Sequence, residues 1–136
     1  MKKQKTERET GMRKLNTIQK RHNLNTVYAA DDKGAGEANH IYVIECHAGD
    51  DHVMSDVNTS LICFQHGPRN EANSIAGVLD TDLLEIVRDR LKSFQEGAFA
   101  TRENAIALTH IEEALLWLNK RVEDRAERGV LGTNQP

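Results

Sequence analysis

Four residues in the C-terminal half of this 136-residue chain have the types that hold a nucleotide: Phe94, Asn104, Arg121 and Arg125. A phenyl ring gives a base a stacking face. A carboxamide donates and accepts along a base edge, and guanidinium forks match pairs of phosphate oxygens. Arg121, Arg125 and Arg128 stand at i, i+4 and i+7, so a helix carries them on one side of two turns. Simpler readings stay open beside this one. Basic residues at a helix C-terminus complement its macrodipole. Asn104 is also the kind of residue that sets a register or caps a loop, and Phe94 and Phe99 the kind that plug the end of a helical hairpin.

Other constellations point nowhere. Cys46, His47, His52 and His66 lack the paired CxxC or HxxxH spacing of a zinc site, so no metal is expected. His110-Ile111-Glu112 has the HxE of zinc deaminases, but no PCxxC follows. There is no GxxxxGK[ST], and no GxGxxG after a strand. Cys46 and Cys63 lie in apolar runs without an adjacent base, where thiols are inert. Glu112, Glu113 and Asp124 are carboxylates that nothing positions as a catalytic pair. The expected chemistry is binding without turnover and without a cofactor.

The elements that must carry these residues are legible. Three strands are expected at NTVYAA (25–30), HIYVIEC (40–46) and SLICFQ (60–65), from their β-branched and aromatic content. DDKGAGEAN joins the first two as a hairpin loop, and the acidic stretch AGDDHVMSDVN leads to the third. From Asp80 the period changes. With Asp80 as N-cap and Leu79 as a staple, Leu84, Val87, Leu91 and Phe94 recur at helical spacing, widened by Leu83 and Ile86, and Gly97 is the stop. A second helix is predicted from Thr101 to Gly129, with the seam Asn104, Leu108, Ile111, Leu115, Leu118, Val122, Arg125. So short a connection makes the two helices antiparallel neighbours. The fold class is α+β: a small antiparallel sheet of about three strands with a C-terminal helical hairpin. Residues 1–22 are read as a flexible basic leader and 23–136 as one domain, with a β-region at 23–68, the hairpin at 80–129 and a tail at 130–136. A short helix around Met12 to Ile18 is the one element expected in the leader.

Geometry then constrains the site. Asn104 and Arg125 are ~31 Å apart along one helix, and Phe94 lies beside Asn104 at the turn. No small ligand spans that distance within one chain. A second hairpin packed head to tail brings the Phe94–Asn104 end of one copy to the Arg121–Arg125 end of the other, and two-fold symmetry makes two equal pockets. A homodimer is therefore the expected minimum, with Trp117 beside the seam contributing burial.

Charge is uneven. Residues 1–22 hold eight basic and two acidic side chains, and the remainder ten basic and 19 acidic. A basic leader suits nucleic acid, whereas an acidic body binds an anion only through a local cluster of donors; no stable nucleic-acid partner is expected. No apolar run approaches the ~20 residues of a membrane span, and no secretory pattern follows the N-terminus. The thiols of Cys46 and Cys63 are expected to be reduced, in a cytosolic protein.

FQHGP (64–68), FQEGAFATREN (94–104), EEALLWL (112–118) and DRAERGVLGT (124–133) together resemble the phage-encoded Thoeris anti-defence family, whose helical hairpin is shared with anti-CBASS sponges. The similarity covers roughly residues 23–136, and the ending TNQP departs from the THTV-like end of the family. The resemblance implies a non-catalytic sponge in the host cytoplasm during infection. It implies capture of a cyclic ADP-ribose isomer, with cyclic di- or trinucleotides at separate sites in some members, and assembly up to hexamers. It matches the family's ligand-binding residues to Phe94, Asn104, Arg121 and Arg125, with an aromatic in the first strand at Tyr28 and an arginine after Gly67-Pro68 at Arg69. Two rivals remain at this stage: an enzyme that degrades the same signals, and a nucleic-acid binder that uses the basic N-terminus.

Overall fold

The computed structural model describes residues 11–47 and 58–136. The first ten residues of the basic leader and nearly all of the acidic loop therefore lie outside the described residues. The chain divides into two compact units, one ending at His66 and the other running from Gly67 to Pro136.

The first unit is an antiparallel meander of four strands: β1 (Arg13–Lys14), β2 (Asn25–Ala29), β3 (Ile41–Cys46) and β4 (Asn58–Cys63), in that spatial order. Register follows the β-branched runs. Tyr28 stands opposite Val43 on one side and Lys14 on the other, and Val43 opposite Leu61. Phe64 extends the ladder through its N–H to the His40 carbonyl at 2.7 Å, and its ring meets Tyr42 edge-on at 5.6 Å. The sheet has one strand more than the three expected. Its extra strand is formed by Arg13 and Lys14, and the short helix expected around Met12 to Ile18 is not formed. Pairing with β2 satisfies these backbone groups better than a helix without an apolar face would.

The β2–β3 loop is organised by one carboxylate. Asp31 accepts from the backbone N–H of His40 at 3.1 and 3.2 Å, from that of Ile41 at 3.2 Å and from the Asn39 amide at 3.2 Å. Asn39 passes the connection on, since Arg13 Nη2 donates to its Oδ1 at 2.8 Å. The guanidinium of the short first strand is thus tied to the loop. Burial works to raise the Asp31 carboxyl, but the donated hydrogen bonds of Ile41, His40 and Asn39 together outweigh it and hold the group below its ordinary value. Beneath the loop, His40 stacks on His66 with ring centroids 4.0 Å apart, and a side chain at Gly34 would begin 2.7 Å from His66 Nε2, so only glycine fits there.

The second unit is the helical hairpin, α1 (Asp80–Gln95) and α2 (Arg102–Glu127). The start of α1 lies one residue from expectation. Leu79, not Asp80, is the N-cap, and the Asp82 carboxylate accepts from the Leu79 N–H at 2.8 Å. Thr101 caps α2 as expected, its Oγ1 accepting from Asn104 N–H at 3.0 Å. The far end of α2 closes in a Schellman motif: Gly129, at φ 70°, lets Val130 N–H reach the Arg125 carbonyl at 3.0 Å and Gly129 N–H that of Ala126 at 3.0 Å.

The face of α1 turned to α2 differs from the expected stripe. Leu84 and Leu91 are half-buried as expected, but the alternate rungs are Arg88 and Gln95, while Val87 and Phe94 remain 42% and 36% exposed and Ile86 58%. The reason is hydrogen bonding. Arg88 Nε donates to Glu112 Oε2 across the hairpin at 2.9 Å, and the Gln95 amide holds the start of α2. Neither helix contains a buried residue; among the described residues that class holds just Ala29, Asn39 and His40.

Replacing Asp31 by Asn leaves the loop donors with a neutral acceptor and is expected to cost about 1 kcal/mol at neutral pH. Because the folded carboxyl titrates below the unfolded one, its contribution is complete above about pH 4 and fades as the pH falls through the folded value. Urea midpoints of the two proteins should therefore differ at pH 7 and converge in acid.

Candidate functional site

The turn between the helices is shaped by a single carboxamide. Gln95 Nε2 donates to the Thr101 carbonyl at 3.1 Å, and Thr101 N–H donates to Gln95 Oε1 at 3.0 Å. Side chain and backbone thereby close a reciprocal pair that brings the end of α1 against the start of α2. Gly97 follows α1 without adopting positive φ; its N–H returns to the Phe94 carbonyl at 3.2 Å. This clasp, and not an aromatic plug, closes the hairpin: Phe99 is 76% exposed.

Phe94 and Asn104 meet this turn from opposite helices. The Phe94 ring is 36% exposed, and the Arg90 guanidinium lies over it at 5.5 Å from the centroid. Arg90 is a neighbour that the sequence reading missed, although it stands four residues before Phe94, where a helix presents a side chain to the same face. The side-chain amide of Asn104 makes no hydrogen bond to a described residue, while its backbone N–H is taken by the Thr101 cap. An amide with donors and acceptors unused by the described residues can read a base edge.

The arginines occupy the other end of α2. Arg121 is exposed and makes no hydrogen bond or ion pair with a described residue. Lys120, its neighbour, is paired with Asp124 at 2.9 Å. These side chains and Trp117, itself 71% exposed, border an open hollow of about 520 Å³ that also reaches Arg125 and Pro136. Arg125 is engaged otherwise than expected. Its Nη2 donates to the carbonyls of Val130 at 3.1 Å, Thr133 at 3.2 Å and Gln135 at 2.9 Å, so the side chain gathers the tail onto the helix end.

Arg69 comes to the same end of the unit. It is exposed and precedes Asn70, whose N–H donates to the Gly132 carbonyl at 2.9 Å. Tyr28 lies on β2 in the first unit, where burial and then the Glu45 charge push its hydroxyl above the ordinary value. The hairpin therefore carries Phe94 and Asn104 at its turn, and it brings Arg121 and Arg125 to one hollow at the other end of α2, where Asn70, next to Arg69, is tied to the tail. It does not unite the two sets, since Asn104 and Arg121 are ~26 Å apart along α2.

Residues 60–123, from β4 through most of α2, match the family model described as the Acb2/Tad1 hairpin domain. The protein Thoeris anti-defense 1 of Bacillus phage SBSphiJ7 is 50% identical over 72 residues, which is 53% of this chain and 50% of that relative. The chain thus spans half the length of the curated relative it matches.

Gln95→Ala removes both hydrogen bonds of the clasp. Partly exposed bonds of this kind contribute about 0.5 kcal/mol each, so the hairpin should lose about 1 kcal/mol and its thermal midpoint about 4 °C, read by circular dichroism at 222 nm.

Proposed function

We propose that this chain, built around an Acb2/Tad1 hairpin, is a phage anti-defence sponge that captures a cyclic ADP-ribose isomer and holds it intact. The single observation that carries the reading is the division of nucleotide-recognising residues between the two ends of α2. An aromatic face and an unpaired amide stand at one end, and guanidinium groups at the other. A second copy packed head to tail completes each half with the other.

In the composite pocket an adenine stacks on Phe94, Asn104 meets its polar edge, and Arg121 and Arg125 of the second copy hold the pyrophosphate. Arg69 and Tyr28 are the further contacts that the family resemblance suggests. The outward Val87, Ile86 and Trp117 provide apolar surface for association, as does the inter-helix groove floored by Leu115, Leu116 and Val122. A dimer is the smallest unit that completes a pocket, and a hexamer the larger assembly. Capture without turnover requires nanomolar affinity, about −12 kcal/mol, so that the signal stays sequestered. Cyclic di- and trinucleotides are candidate ligands at separate sites.

Three measurements test this. Incubation with cyclic ADP-ribose isomers and cyclic oligonucleotides, followed by heat release and chromatography, should return intact ligand; a cleaved product would establish an enzyme instead. Phe94→Ala should weaken capture about five- to 150-fold, since stacking contributes ~1–3 kcal/mol, and Asn104→Ala should weaken it as well, with sedimentation unchanged in both. A mixture of Phe94→Ala and Arg121→Ala chains should recover capture, because each mixed dimer carries both lesions in one pocket and none in the other. Failure to recover would place the whole site within one chain.

A further inference from the structure

The tail that follows α2 occupies the atoms through which Arg125 would hold an anion. A guanidinium forms paired hydrogen bonds along two edges, Nε with Nη2 and Nη1 with Nη2. Nη2 belongs to both. In this chain Nη2 already serves the carbonyls of Val130, Thr133 and Gln135 at 2.9–3.2 Å. Neither fork is open while the tail is in place. Arg128 is used in the same way, its Nη1 donating to the Pro136 carbonyl at 2.8 Å. Pro136 also borders the hollow that holds Arg121.

The tail is held at its root by bonds within its own turn and to Asn70, and at its tip mainly by the two arginines. Gly132, at φ 75°, accepts from Asn70 N–H at 2.9 Å, and a side chain there would begin 2.7 Å from Asn70 Nδ2. Thr133 Oγ1 donates to the Val130 carbonyl at 2.6 Å and accepts from Gln135 N–H at 3.2 Å. Beyond it, Asn134, Gln135 and Pro136 are exposed; besides the bonds of Gln135 and Pro136 to the two guanidiniums, Asn134 N–H reaches Glu71 Oε1 at 3.3 Å.

We propose that Thr133–Pro136 is a displaceable self-ligand of the arginine end. Its carbonyl oxygens stand in for the oxygens of a pyrophosphate ester, and capture swings the tip away about Gly132. The exchange runs in favour of the incoming group, because a fully charged oxygen accepts from guanidinium more strongly than a neutral carbonyl does. The tail sets a threshold: affinity is reduced by the fraction of chains in which it is down. This rests on the nucleotide-capture reading of the same arginines.

The test uses inorganic pyrophosphate as probe, titrated calorimetrically into the unaltered protein and three variants. One carries Gly at 133–136 together, which keeps the length and places no new terminal carboxylate at Arg125. The second is Thr133→Val, and the third Arg121→Ala. Freeing the tip by either tail variant should tighten pyrophosphate binding by about three- to tenfold. In the unaltered protein, pyrophosphate should speed deuterium exchange at the Thr133 and Gln135 amides. Equal or weaker binding by both tail variants, or slower exchange, overturns the self-ligand. If the unaltered protein binds pyrophosphate and Arg121→Ala does not, the arginine site stands even when the self-ligand falls. If no form binds it, both fall.

Discussion

Two helices that touch along one line cannot bury two apolar stripes, and here the line of contact is partly given over to polar side chains. Arg88 reaches Glu112 across the hairpin and Gln95 clasps Thr101. Both carboxylates on Arg88, Glu112 first and then Glu85, push its guanidinium above its ordinary value. Exposed pairs of this kind add little stability, but they fix which face of α1 looks inward. Val87, Ile86 and Phe94 are turned outward as a result. The hairpin is thus specified by hydrogen bonds within one copy and left with apolar surface exposed. Small domains with so little interior commonly obtain it by association.

The same rotation determines what Phe94 can do. A ring packed between α1 and α2 would be unavailable to a ligand. Turned out and covered on one face by Arg90 alone, it remains accessible. At the opposite end Arg121 is unencumbered while Arg125 is tied to the tail. The two guanidiniums that looked equivalent by spacing are therefore different groups, one without a partner among the described residues and one bound to the tail.

Much of this was legible from residue type and period. The β-branched runs located β2, β3 and β4, and Thr101 and Gly129 marked the ends of α2 because each has a conformational reason to be there. The rest depends on contacts that no short window contains. β1 exists because Arg13 finds Asn39, 26 residues away. The stripe of α1 was misassigned at two rungs, Val87 and Phe94, because an arginine and a glutamine won the inward positions through partners at α2. The role of Arg125 was hidden for a similar reason: its acceptors are backbone carbonyls, which every residue carries and no motif announces.

The distance along α2 has a further consequence for how such a protein records its own history. If Asn104 and Arg121 serve one pocket in two copies, substitutions at them would be selected jointly. Covariation across relatives would then pair positions that a single straight helix holds ~26 Å apart. Treated as an intramolecular contact, that pairing would demand a helix folded back on itself. Treated as a contact between copies, it would give the register in which the two hairpins lie.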